Sequence, residues 1–174
     1  KESEVPNLLI TGGEPMLYPD LMFKAFELGK GAGLKCALNS NLTLVTPDIA
    51  KGLKRVGVGV LTSILSFDHS LHDNITTSLG SFDRLIVGIQ LLQKYGVPVS
   101  ANMVVMKANM DQIYETGKFV HSLGMSSFRA TKVHPAIGSS VFEVIKLPPE
   151  RIAGIFDSLI KLKDDYRLKV ESLT

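Results

Sequence analysis

The chain has 174 residues, enough for one domain or most of a larger one. It is 45% hydrophobic and 21% charged, a globular composition that excludes disorder and low complexity. With 19 basic and 17 acidic residues the net charge is +2, which argues against a nucleic-acid partner, and the single cysteine, Cys36, excludes a disulfide framework or a multi-cysteine metal site within the chain.

The elements alternate in type along the chain. Leu8-Leu9-Ile10-Thr11 is a strand run ended by Gly12-Gly13, and Pro19-Asp20 opens a helix with Leu21, Met22, Ala25 and Leu28 on one face, closed by Gly31 and Gly33. Leu34 to Leu38 is the next strand. Thr46-Pro47-Asp48 starts a helix with an N-cap, a first-turn proline and an acid that suits the dipole. Val56 to Phe67 holds a β-branched strand. Ser81 caps a helix bearing Leu85, Ile86, Ile89 and Leu92, with Gly96 at its end. Val97 to Met106 is a strand, Asn109 and Gln112 form a capping-box pair, and Ile113, Val120 and Leu123 carry a helix to Gly124. Ser127 to Val133 is the last strand, and Pro148-Pro149 starts a final helix, so that about 141–174 holds that helix and the start of a following region.

Five β-α units of this spacing predict parallel strands joined by right-handed helical crossovers, with helices covering both faces. An open doubly wound sheet and a partial barrel both fit. No linker divides the chain, so a single domain over 1–174 is expected. No apolar run approaches the roughly 20 residues of a membrane span. Lys1-Glu2-Ser3-Glu4 is no signal peptide. The expectation is cytoplasmic residence with no membrane partner. A start at Lys1, with a strand almost at once, reads as a piece of a longer protein.

In parallel α/β folds ligands bind at the carboxyl ends of the strands. The candidates there are Thr11-Gly12-Gly13-Glu14-Pro15, Asn39-Ser40-Asn41, Ser66-Phe67-Asp68, Asn102, and Arg129 with Lys132 and His134. Two adjacent glycines allow a ligand to approach the backbone closely. Gly-Gly alone reads equally as a tight β-α turn.

The ordered set TGGEP, PD, LNSN, SFD, HD, GSFDRLIVGIQLLQKYGVPVSANMVVMKANMDQI and FRATKVHP resembles the radical S-adenosylmethionine (SAM) superfamily, from about Asn7 to about Gly138. The resemblance implies a partial (β/α)6 barrel. It implies a [4Fe–4S] cluster held by a three-cysteine loop, SAM bound at the cluster, and one-electron cleavage of SAM to a 5′-deoxyadenosyl radical that takes hydrogen from substrate. It implies that Gly12, Gly13, Glu14 and Pro15 form the SAM turn, with Ser66 and Asn102 as further SAM contacts. Arg129 is then a candidate for the SAM carboxylate, and Asn39, Asp68, Lys132 and His134 face substrate. The expected partners are a small-molecule or peptide substrate and an electron donor such as flavodoxin or ferredoxin. The members closest in pattern mature peptides or build cofactors.

The departures from the pattern are informative. The cluster loop is absent, and Cys36 lies inside a strand, where a structural thiol is expected. The first barrel strand is missing, so this chain by itself is expected to be inactive, with an open edge at Asn7–Thr11 that invites self-association. The GTP-cyclising members carry an Arg where this chain has Leu9 and a Lys where it has Ser100, so triphosphate recognition is disfavoured. Sulfatase-maturase-like members carry an Arg near the position of Thr76.

Blander readings stand beside these. Asp68, His69, His72 and Asp73 read as a solvated turn rather than a metal site. Met103, Met106 and Met125 read as core, and His121 as surface. Two other functions stay open: a degenerate barrel reused for binding, and an ordinary β/α barrel enzyme using Asp68, His72 or Lys132 on a small phosphorylated substrate.

Overall fold

The computed structural model describes residues 7–125, 127–135 and 141–171, so Lys1 and Gly138 lie outside the described residues. Six strands are present: β1 (Asn7–Ile10), β2 (Lys35–Asn39), β3 (Gly59–Ser63), β4 (Val99–Val105), β5 (Ser127–Lys132) and β6 (Lys169–Glu171). They form one sheet in chain order. The registered pairs β1–β2, β2–β3, β4–β5 and β5–β6 are all parallel. The helices are α1 (Pro19–Gly31), α2 (Pro47–Val56), α3 (His69–Thr76), α4 (Ser81–Lys94), α5 (Ile113–Ser122), α6 (Phe142–Ile145) and α7 (Ile152–Tyr166).

Local chemistry sets many of the ends. Thr46 Oγ1 accepts from the Ile49 amide at 3.2 Å with Pro47 in the first turn, so α2 starts where its sequence says it should. It ends at Gly57 in the left-handed region, φ 64°. Ser81 stands at the start of α4, where the sequence places it. The five predicted β-α units are all found. The sequence reading stops at the last helix and misses β6, which is only three residues long and pairs with β5.

The chain divides into two compact units. The first holds the residues up to Thr62 with Ser81–Ser100. Its core includes Met22, Phe26, Leu38, Leu53, Val60, Leu85, Ile89 and Leu92. The helix α1 corrects one expectation: Met22, Phe26 and Gly29 are its buried residues, whereas Leu21 and Leu28 are exposed. The second unit holds Ser63–Gly80 with Ala101 onward. Met103, Val105, Ile113, Val120, Phe128, Ala130, Leu159 and Leu162 are buried there.

The expectation of a sheet covered on both faces is also corrected. In β4, Ala101, Met103 and Val105 are buried while Asn102 and Val104 are only half-buried. In β5, Phe128 and Ala130 are buried and Arg129 and Thr131 are not. In β2, Leu38 is buried and Ala37 is exposed. A period of two means one packed face and one open face. Polar residues at alternate positions carried that signal, and the apolar runs masked it.

Thr62 is fully buried on β3, and among the described residues its hydroxyl has no hydrogen-bond partner. Thr62→Val keeps the shape and removes the orphan group. The variant is expected to gain about 1 kcal/mol, seen as a higher urea midpoint at unchanged slope. A midpoint below wild type would contradict an unsatisfied hydroxyl.

Candidate functional site

In the first unit the chain leaves β1 through Thr11-Gly12-Gly13-Glu14. Gly12 has φ 118°, a conformation that disfavours any side chain, and a Cβ built on Gly12 or Gly13 meets nothing within 4 Å. This backbone is exposed and has room in front of it. Glu14 braces the turn from within. Its Oε1 accepts from the Met16 amide at 3.0 Å and from Ser40 Oγ at 2.7 Å, and its Oε2 accepts from the Asn41 amide at 2.9 Å. It also caps the short 3-10 helix Pro15–Leu17, with Pro15 in the first turn. The carboxylate therefore joins the exit of β1 to the exit of β2. Asn39 adds a second link, its Nδ2 donating to Thr11 Oγ1 at 3.3 Å.

In the second unit, residues 65–68 after β3 are held from several sides. Ser66 is fully buried. Its Oγ donates to Gln112 Oε1 at 2.5 Å and accepts from the Asp68 amide at 2.8 Å. The Phe67 amide donates to Thr116 Oγ1 at 3.2 Å. Asn109 donates from Nδ2 to the carbonyls of Leu65 and Val104, and its Oδ1 accepts from the Met106 amide. Asn109 and Gln112 are thus not a capping box: neither side chain caps a helix, and both tie strand ends together. The two arrangements share one spacing, so spacing alone could not separate them.

The segment read as a solvated turn is the helix α3. Asp68 Oδ1 accepts from the Leu71 amide at 2.9 Å as its N-cap, and His72 and Asp73 are buried. His72 Nδ1 accepts from the Leu65 amide at 3.3 Å. Asp73 Oδ2 accepts from the Gly80 amide. Burial pulls the His72 pKa below its ordinary 6.5, against a smaller upward pull from Asp73. The unfolded chain therefore binds the proton more readily. The contribution of His72 to stability is complete above pH 6.5 and is lost as pH falls from there through the lower folded value. A protonated Nδ1 also cannot accept from Leu65. The denaturation midpoint is expected to fall between about pH 7 and pH 5, and His72→Gln is expected to flatten that fall. An equal slope in both proteins would assign the acid loss to other groups.

On the open side of β4 and β5, Asn102 Nδ2 donates to Thr131 Oγ1 at 3.2 Å. Arg129 is committed to Glu171 of β6: its Nε donates to Glu171 Oε2 at 2.7 Å, its Nη2 donates to the same oxygen, and Lys169 Nζ pairs with Oε1 at 3.2 Å. The Arg129 hydrogen bond, followed by that of Lys169, holds the Glu171 pKa below the ordinary carboxylate value. Lys132 and His134 are exposed at the end of β5. Sequence reasoning missed Thr116, Thr131 and Glu171 and misread Gln112, whose hydrogen-bond partners all lie far from them in sequence.

Among the described residues no group of three His, Cys, Asp or Glu could hold a metal ion. Cys36 is half-buried on β2, its Sγ donating to the Leu34 carbonyl at 3.6 Å. No helix among the described residues is long and apolar enough to cross a membrane.

The family model of the Radical SAM superfamily matches residues 1–120. The chain belongs to the radical SAM superfamily. It is 34% identical over 165 residues to an AdoMet-dependent heme synthase of Methanosarcina barkeri, covering 91% of this chain and 47% of that protein. It is 31% identical over 145 residues to a probable GTP 3',8-cyclase of Sulfurisphaera tokodaii, covering 82% and 46% respectively. The chain thus spans about half the length of these curated relatives. The solved structure of native anSMEcpe with bound AdoMet and Kp18Cys peptide shares the fold, with TM-score 0.78 at 18% identity over 94% of this chain and 49% of that one. The open six-stranded parallel sheet is therefore that of the radical SAM partial barrel. Members of the superfamily use a [4Fe–4S] cluster, and the residues described here contain no ligand set for one.

Proposed function

We propose that the whole protein is a radical SAM iron–sulfur enzyme that cleaves SAM reductively to a 5′-deoxyadenosyl radical for hydrogen abstraction. The observation that carries this reading is the Gly12-Gly13 turn, exposed, unobstructed and braced by Glu14, in a chain of this superfamily. Its exposed backbone groups suit the charged amino-acid end of SAM. Asn102 and the turn containing Ser66 are assigned to SAM as well. Arg129 is assigned to a carboxylate, of SAM or of substrate, which must exchange with Glu171. Asn39, Asp68, Lys132 and His134 are assigned to the substrate side.

The cluster ligands are assigned to a part of the protein outside this chain. The chain acts as one core domain, inactive by itself, in the cytoplasm, with a flavodoxin- or ferredoxin-type donor. The heme synthase similarity at 34% favours a cofactor precursor as substrate over a peptide, and Leu9 and Ser100 disfavour a triphosphate. The exposed Leu9, Leu17, Tyr18, Leu21 and Leu28 beside β1 support self-association of the chain when it is alone.

The test uses the whole protein, purified without oxygen and reconstituted with iron and sulfide. SAM and dithionite are expected to yield 5′-deoxyadenosine, and Gly13→Val to abolish it. A folded protein that holds no iron and cleaves no SAM would sink the reading and leave a barrel reused for binding.

A further inference from the structure

The turn after β3 shows an unusual distribution of polar groups. Ser66 is fully buried, and its hydroxyl already donates once and accepts once. Leu65 is fixed at both ends of its peptide, the amide by His72 and the carbonyl by Asn109. Phe67 is fixed at its amide by Thr116. Four side chains from α3 and from the segment 109–116 thus converge on a turn of four residues. Such investment is out of proportion to closing a loop, since a turn into a helix is satisfied by its cap alone, here Asp68. The two residues this rigid turn leaves exposed are Phe67 and Asp68, and Phe67 is 40% exposed although large and apolar.

We infer that Gln112 is a positioning residue for SAM binding, acting through the Ser66 hydroxyl to hold the turn in the geometry that meets the ligand. The inference rests on the functional reading above. A Gln side chain suits the task because its carbonyl oxygen accepts the serine's hydrogen bond. Ligand sites hold best when the groups behind them are locked.

The experiment measures SAM and S-adenosylhomocysteine dissociation constants on the whole protein by equilibrium dialysis. Gln112→Ala and Ser66→Ala are each expected to weaken binding about tenfold, and the double variant no further, because both remove one hydrogen bond. Gln112→Glu keeps the acceptor and is expected to bind within about twofold of wild type. Should Gln112→Ala fail to fold, Gln112→Met fills the same volume without accepting and takes its place against Gln112→Glu. If Gln112→Ala binds like wild type, or the double variant loses about a hundredfold, Gln112 does not act through Ser66 and the positioning role is wrong. If the wild type itself fails to bind either ligand, the functional reading falls and the inference falls with it.

Discussion

Gly88→Ala is expected to lower stability by about 3 kcal/mol or more, and to weaken ligand binding with it. A Cβ on Gly88 would sit 2.3 Å from the carbonyl oxygen of Leu42 and 3.0 Å from its Cβ. Backbone cannot swing aside as the end of a side chain can. Leu42 is also poorly placed to yield, being fully buried and already at φ 61°, a strained region for an L-residue. Its amide donates to Ser40 Oγ, and Ser40 in turn donates to Glu14. Pressure from α4 would therefore pass through Leu42 and Ser40 to the brace of the Gly12-Gly13 turn. Chemical denaturation of the variant reads the first effect and SAM affinity the second. A loss under about 1 kcal/mol would mean that α4 shifts freely, and would remove the reason for a glycine there.

Glu14→Ala is expected to cost about 3 kcal/mol, since three hydrogen bonds to a carboxylate disappear together and the buried Ser40 hydroxyl loses its acceptor. Glu14→Gln keeps one carbonyl oxygen, and about half the loss is expected. The two variants separate bracing from direct ligand contact. Bracing predicts that stability and affinity fall in proportion across Ala and Gln. A direct contact predicts that Glu14→Gln keeps near-native stability while affinity collapses.

Much of the fold was legible because its signals are local. Thr46-Pro47, Pro19-Asp20 and Gly96 mark element ends by chemistry that acts within four residues. The Gly12-Gly13 turn was legible for the same reason. What stayed hidden depends on partners distant in sequence. The helix α3 was lost because Asp68, His69, His72 and Asp73 look solvated as a string, although His72 and Asp73 are buried in the fold. The pairing of Arg129 with Glu171 was lost because it needs β6, a strand too short to show any period. The roles of Asn109 and Gln112 were misread because a local motif and a tertiary clamp use the same two residue types.

The sheet's alternation separates two kinds of position along one strand. Ala101, Met103 and Val105 answer to the helices behind them, and enlarging or emptying any of them disturbs close packing. Asn102, Arg129 and Thr131 lie between such positions, tied to polar partners, Asn102 to Thr131 and Arg129 to Glu171. Mutations there are expected to cost less stability than mutations at the packed positions, and to act chiefly on ligand affinity. A scaffold of this kind suits a family whose members here range from a heme synthase to a GTP cyclase at about one-third identity.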